Sequence, residues 1–329
     1  MRALHERTIF VSMLATAIAA LAVLLIARIT GADAVGRAFN HVELPWVVLV
    51  AVAELLTYPA YILAYRSIAR LEGHARLELP IVARIVVAGF GPFALSGGFG
   101  IDKQALHALQ EDPESAHRRV VALGTMEWVI LAPAASAVAI ILLAEGANIL
   151  PSLLWPWALA VPAGFGAALW VTAGHRLEWI STAWGGRLRR VIPSLEGVAM
   201  TRVLVTQARR YRGAWLGIAL YWAADIFAFY CALRMFGLDP GALRVVIAYG
   251  TGYAATRRSL PLGGAGVTEF LMTYALYWLR MPLAPALAAV LIYRAFNFLL
   301  IAAPAVVAHR QLQPLFDRSR RGKKSEHPG

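Results

Sequence analysis

Six long apolar runs constrain this chain more than any other feature. They lie near Thr8–Ile29, Trp46–Tyr65, Val120–Ala144, Pro151–Ala173, Gly213–Phe236 and Leu283–Ala308. Each is long enough to cross a hydrocarbon core of roughly 30 Å, which takes about 20 helical residues. Lipid offers no partner to a backbone N–H or C=O, so runs of this length fold as helices. Two further apolar stretches, Ile81–Gly100 and Ala242–Leu279, are interrupted by glycine and proline. They read as re-entrant hairpins, a form tolerated at membrane depth only where protein or a polar cavity surrounds it. The expected fold is therefore an all-α polytopic membrane protein with about six full transmembrane helices and two re-entrant helical hairpins.

Composition agrees with that class, since 59% hydrophobic residues, 15% charged residues and a mean hydropathy of +0.61 exceed what a soluble domain carries. Lysine and arginine number 31 against 19 acids, but they fall mostly between the apolar runs. That placement marks topology and contact with anionic headgroups rather than nucleic acid. The single cysteine, Cys231, has no partner for an intrachain disulfide. No two of the 8 histidines have the His-x-x-x-His spacing of a metal site, and no P-loop pattern occurs, so neither a metal, another cofactor nor an ATP-driven step is expected.

Arginine-rich connections orient the spans. The N-terminus, Arg66–Arg84, Gly174–Arg212 and the segment from Arg310 all fall on the cytoplasmic side when six spans and two hairpins are counted. The first run is read as a retained span, because it exceeds the roughly 7–15 apolar residues of a signal peptide. The chain is thus expected to sit in the cell (inner) membrane with both termini cytoplasmic. Residues 1–310 form one membrane domain, of halves 1–144 and 145–310, followed by a basic tail at 311–329 that is expected to be disordered. Within 174–212, Leu188, Val191, Ile192, Leu195 and Val198 recur at helical spacing, as in an amphipathic helix lying on anionic lipid.

The two halves repeat. Gly97-Gly98-Phe99-Gly100-Ile101 echoes Gly263-Gly264-Ala265-Gly266-Val267, and the second span of each half begins 51 and 50 residues earlier, at Trp46 and Gly213. Hairpins entering from opposite sides make this an inverted repeat, the organisation of secondary transporters whose site lies near the midplane.

Ionisable residues inside the spans mark that site. Arg294 is the only charge in the run Leu283–Ala308 and sits at its middle. A charge there costs on the order of 3 kcal/mol, so it calls for a partner, a watery cavity or an anionic ligand. Glu54 and Asp225 lie near the middle of the second and fifth spans, and Glu127 lies about 10 Å into the third. Glu269 follows the break at Pro261–Gly266. A helix restarting near Gly266 would aim amides and a positive dipole end into that break. Arg257 and Arg258 precede it, so Gly263, Gly264, Gly266, Arg257, Arg258, Glu269 and Arg294 are candidates for binding an anion. Asp225, Glu54 and Glu127 are candidate proton, ion or charge partners. Structural pairing of Arg294 with Asp225 or Glu269, and snorkelling of Arg257 and Arg258, remain the plainer readings of the same residues.

The pattern Pro-x-Gly-Gly-x-Gly-x-x-Glu, followed by a span with an arginine and then Ala-Pro-Ala, resembles the lysylphosphatidylglycerol synthase transmembrane, or flippase-like, family. The resemblance covers most of the chain and puts Gly263, Gly264, Gly266, Glu269 and Arg294 on the family motif. It implies a lipid-translocating membrane module. The sequence departs from the family where Leu262 precedes the paired glycines and where Glu127-Trp128 replaces an acid followed by arginine. The spans and connections leave no room in these residues for an aminoacyltransferase domain. The expected partner is therefore a membrane lipid, an anionic phospholipid or lipid-linked headgroup. The alternatives are an integral membrane enzyme acting on a lipid-linked phosphate, and a scaffold that docks a cytoplasmic lipid-modifying enzyme.

Overall fold

In a computed structural model, residues 42–73, 77–91, 97–109, 112–147, 149–188, 192–253 and 264–325 are described, with isolated positions between 21 and 39. The described residues form eleven helices and no strand. They are α1 Leu44–Ile68, α2 Leu79–Phe90, α3 Gly98–Ala108, α4 Pro113–Ala144, α5 Pro151–Val171, α6 Gly174–Leu188, α7 Ile192–Thr206, α8 Arg212–Met235, α9 Ala242–Gly252, α10 Val267–Trp278 and α11 Leu283–Ser325. Five of them, α1, α4, α5, α8 and α11, are long and apolar enough to cross a membrane. The expected span Thr8–Ile29 lies almost wholly outside the described residues.

The glycine-interrupted stretches are short helices in pairs. At 11 or 12 residues each, α2, α3, α9 and α10 reach about 18 Å, too little to cross alone. Each pair packs on itself, α2 on α3 and α9 on α10. In the second pair Gly252 lies against Met272 with no room for a Cβ. The order long, short, short, long therefore occurs twice, in α1–α4 and in α8–α11.

The two sets join along α1 and α8, the most extensive helix pair among the described residues. Small residues make that seam. A Cβ on Gly217 would come 2.5 Å from the Ala64 backbone nitrogen and 2.6 Å from the Ala60 carbonyl oxygen. Without a strong hydrophobic drive between helices in lipid, such close backbone packing is what holds them together.

One end of the bundle is basic and firmly tied. Asp112 caps α4 by accepting from the Ser115 and Glu114 amides at 2.9 and 3.1 Å. One turn further, buried Arg119 donates to the Ala69 carbonyl at the end of α1, 2.9 Å away. Arg118 bridges Glu72 at 3.0 Å and Glu196 at 3.5 Å, and His117 shares a 3.0 Å hydrogen bond with Ser194.

Two basic segments are helical. Within 174–212 lie α6 and α7, and α7 packs along α4 because Gly197 admits Val121 and the Arg118 carbonyl. The segment beyond Arg310 continues α11 through Ser325 instead of leaving the helix. Its composition is basic, yet Leu312 and Phe316, four residues apart, are buried on one face and carry the helix onward.

Candidate functional site

Arg294 lies on α11, in the middle of its apolar run Leu283–Ala308, and is 2% exposed. Its Nε donates to Glu269 Oε1 at 2.7 Å. Glu269 is the third residue of α10, and its other oxygen accepts from the Gly266 amide at 2.5 Å. That capping contact depends on Gly266 holding φ +84°, a backbone conformation in which a side chain would be strained. One carboxylate thus satisfies a broken helix end and the guanidinium together. The ring of Phe298, with its centroid 4.5 Å from the guanidinium carbon, covers one face of the charge.

From the guanidinium the contacts spread to α1 and α8. Arg294 Nη1 donates to Asn297 Oδ1 at 3.2 Å and to the Tyr253 hydroxyl at 3.3 Å. Asn297 Nδ2 donates to Glu54 on α1. Tyr253 also donates to Asn297 Oδ1 at 3.0 Å, and its hydroxyl oxygen lies 3.0 Å from that of Tyr293. Tyr293 and Tyr249 then donate to the two oxygens of Asp225 on α8, at 2.7 and 2.6 Å. Glu54 and Asp225 are fully buried, and Glu269 is 6% exposed. Acids from α1, α8 and α10 therefore converge on one arginine through a continuous buried network. Charges so desolvated persist only when every member is held, and removal of one leaves the others in an apolar surround.

Glu127 stands beside this network, behind an aromatic wall. Tyr61 donates to its side chain at 2.5 Å, and Trp222 Nε1 donates to its backbone carbonyl at 2.9 Å. The Trp222 ring then meets Tyr249 edge-on and Tyr253 at a tilt, with centroids 5.8 and 6.2 Å away. Among the other sequence candidates, Gly264 precedes α10 with φ +71°, whereas Arg257, Arg258 and Gly263 lie outside the described residues.

Sequence reasoning missed Asn297, Tyr249, Tyr253 and Tyr293. Asn297 had a usable signal, because an amide three residues after a mid-span arginine lies on the same helix face. The tyrosines had a weaker one, since in spans that residue type usually marks the headgroup level.

As described, the guanidinium is closed in by Glu269, Asn297, Tyr253 and Phe298. An anion can reach it only by displacing part of that shell, most simply Glu269. Such an exchange would also release the Gly266 amide and the start of α10.

Comparison with curated proteins returns no match. The sequence profile of the lysylphosphatidylglycerol synthase TM region matches residues 12–305, which include α1 through α10, the apolar part of α11 as far as 305, and all of the buried charges among the described residues. The chain belongs to the lysylphosphatidylglycerol synthase transmembrane-region family.

Proposed function

We propose that this membrane protein moves an anionic phospholipid or lipid-linked headgroup between leaflets, with the Arg294–Glu269 pair as the lock. The observation that carries this reading is that one mid-span guanidinium ties the start of a broken helix to acids on α1 and α8. A headgroup phosphate would take the place of Glu269 on Arg294 and meet the amides at the start of α10. Glu269, released or neutralised by a proton or a basic headgroup, would let the short helix pair move. Rocking of two inversely related halves about the α1–α8 seam would then expose the site to each leaflet in turn. The twofold long, short, short, long order supports that repeat. Clustering of Arg66, Arg70, Arg118, Arg119, Arg209, Arg210 and Arg212 at one end supports a cytoplasmic assignment for that end, in the inner membrane.

The experiment is reconstitution into liposomes carrying fluorescent phosphatidylglycerol, with an outer-leaflet quencher reporting exchange. The wild type should accelerate exchange over protein-free vesicles, and Arg294→Ala should return it to the protein-free rate. Wild-type protein that leaves every tested anionic lipid at the protein-free rate refutes the reading.

A further inference from the structure

A groove of about 1380 Å³ runs between α3, α4, α5 and α7. Drug-sized ligands fill roughly 300–1000 Å³, so this volume suits something larger. Along α4 it extends from His117 to Ala132, about 22 Å at 1.5 Å per residue, which is more than the roughly 15 Å depth of one leaflet. Phe99, Trp128 and Phe165 contribute its apolar walls.

Charge is confined to one sign. Lys103 and Arg202 carry it, no aspartate or glutamate is among the described lining residues, and His117, at the basic end of the bundle, shares a ring-nitrogen hydrogen bond with Ser194. Lys103 is exposed and has no ion-pair partner among the described residues. Arg202 donates through Nη2 to the Leu169 carbonyl, while its buried Nε has no partner among the described residues. Thr201, on the same wall, is 6% exposed, and its buried hydroxyl likewise has no partner there. An apolar trough with a cationic mouth and unused donors is complementary to an amphiphile with a negative head.

We propose that this groove binds a glycerophospholipid with an anionic headgroup, its acyl chains along α4 and α5 and its phosphate at Lys103 and Arg202. The site is separate from the Arg294 lock, and its occupancy does not depend on translocation. Gly164 offers a direct probe, because it lines the groove and a Cβ there meets nothing within 4 Å. Gly166 is equally open but does not line the groove, so it serves as the control.

The test uses the full chain in phosphatidylcholine nanodiscs with trace photoactivatable phosphatidylglycerol, or photoactivatable phosphatidylcholine in parallel, followed by mapping of labelled peptides. Phosphatidylglycerol should label α4, α5 and α7 in preference, by about fivefold for each cation engaged. Lys103→Gln with Arg202→Gln should remove the preference. Gly164→Leu should reduce labelling while Gly166→Leu leaves it intact, with unchanged elution and melting showing that each variant folds. Equal labelling by the two lipids, or Gly164→Leu without effect, reduces the groove to a surface wetted by bulk lipid and overturns the proposal. Either result leaves the lock to be judged on translocation alone.

Discussion

The helix sets α1–α4 and α8–α11 share an element order but treat corresponding positions of their last helix in opposite ways. In the second set Arg294 faces the start of α10 and is wrapped by Glu269, Asn297, Tyr253 and Phe298. In the first, counting the same distance from the paired glycines reaches Trp128, which lines the open groove. The difference follows from desolvation. A guanidinium at membrane depth requires a closed shell of acceptors, whereas an indole is uncharged, has a single N–H donor and can leave most of its ring on an open apolar wall. The openness belongs to α5, another wall of the groove, which is only 11% buried along its apolar stretch, whereas α4 and α11 are each 50% buried.

The largest effect should come from opening the closed side. Arg294→Ala leaves Glu269 buried without its cation, and breaking a buried pair in this way costs about 3–5 kcal/mol. Thermal unfolding in detergent should show that loss. Replacing both partners, as Arg294→Met with Glu269→Leu, should recover most of the stability without restoring lipid exchange. If the double variant is no more stable than the single one, the pair is not the unit that closes this half.

Next in size is the seam. Gly217→Leu forces side-chain atoms into the Ala60 and Ala64 backbone and should cost about 1–3 kcal/mol or more, as overpacking does. Gly164→Leu, on the open side, should change the melting temperature little, since open surface positions usually stay within about 0.5 kcal/mol. Equal destabilisation by the two substitutions would erase the contrast between a packed seam and an open groove.

Tyr253→Phe comes third. Its hydroxyl contacts Arg294, Asn297 and Tyr293, so its loss should cost about 1–3 kcal/mol. The matching change Tyr61→Phe removes a donor to Glu127 and should cost a similar amount. The two differ in exchange rate, because only Tyr253 belongs to the network around Arg294. Equal loss of exchange in both variants would merge Glu127 with the lock.

Much of this contrast was legible in the residues. A charge inside an apolar run has so high a cost that Arg294, Glu54, Asp225 and Glu127 could be singled out without coordinates. Glycine beside a break likewise located the start of α10. What stayed hidden was convergence. Asn297 and the tyrosines are ordinary in a span until folding places them around one guanidinium. The groove was invisible for the same reason, since its walls come from four separate helices, α3, α4, α5 and α7, whose faces meet only in the fold. The helix beyond Arg310 was missed because its charge outweighs the two apolar residues that anchor it.

The smallest effect tests the open side on its own terms. Thr201→Val keeps the shape of a buried side chain whose hydroxyl has no partner among the described residues. Removing an unsatisfied polar group should be neutral or stabilise by up to about 1 kcal/mol in lipid-free detergent. With anionic lipid present the sign should reverse, because the wild-type hydroxyl can then donate to a phosphate or ester oxygen. The measurement is the melting temperature of both proteins with and without added phosphatidylglycerol. Wild type should gain more from the lipid than Thr201→Val, since a ligand stabilises in proportion to its differential affinity for the folded state. Identical gains would place the lipid elsewhere and leave the hydroxyl as an uncompensated cost of packing α7 on α4.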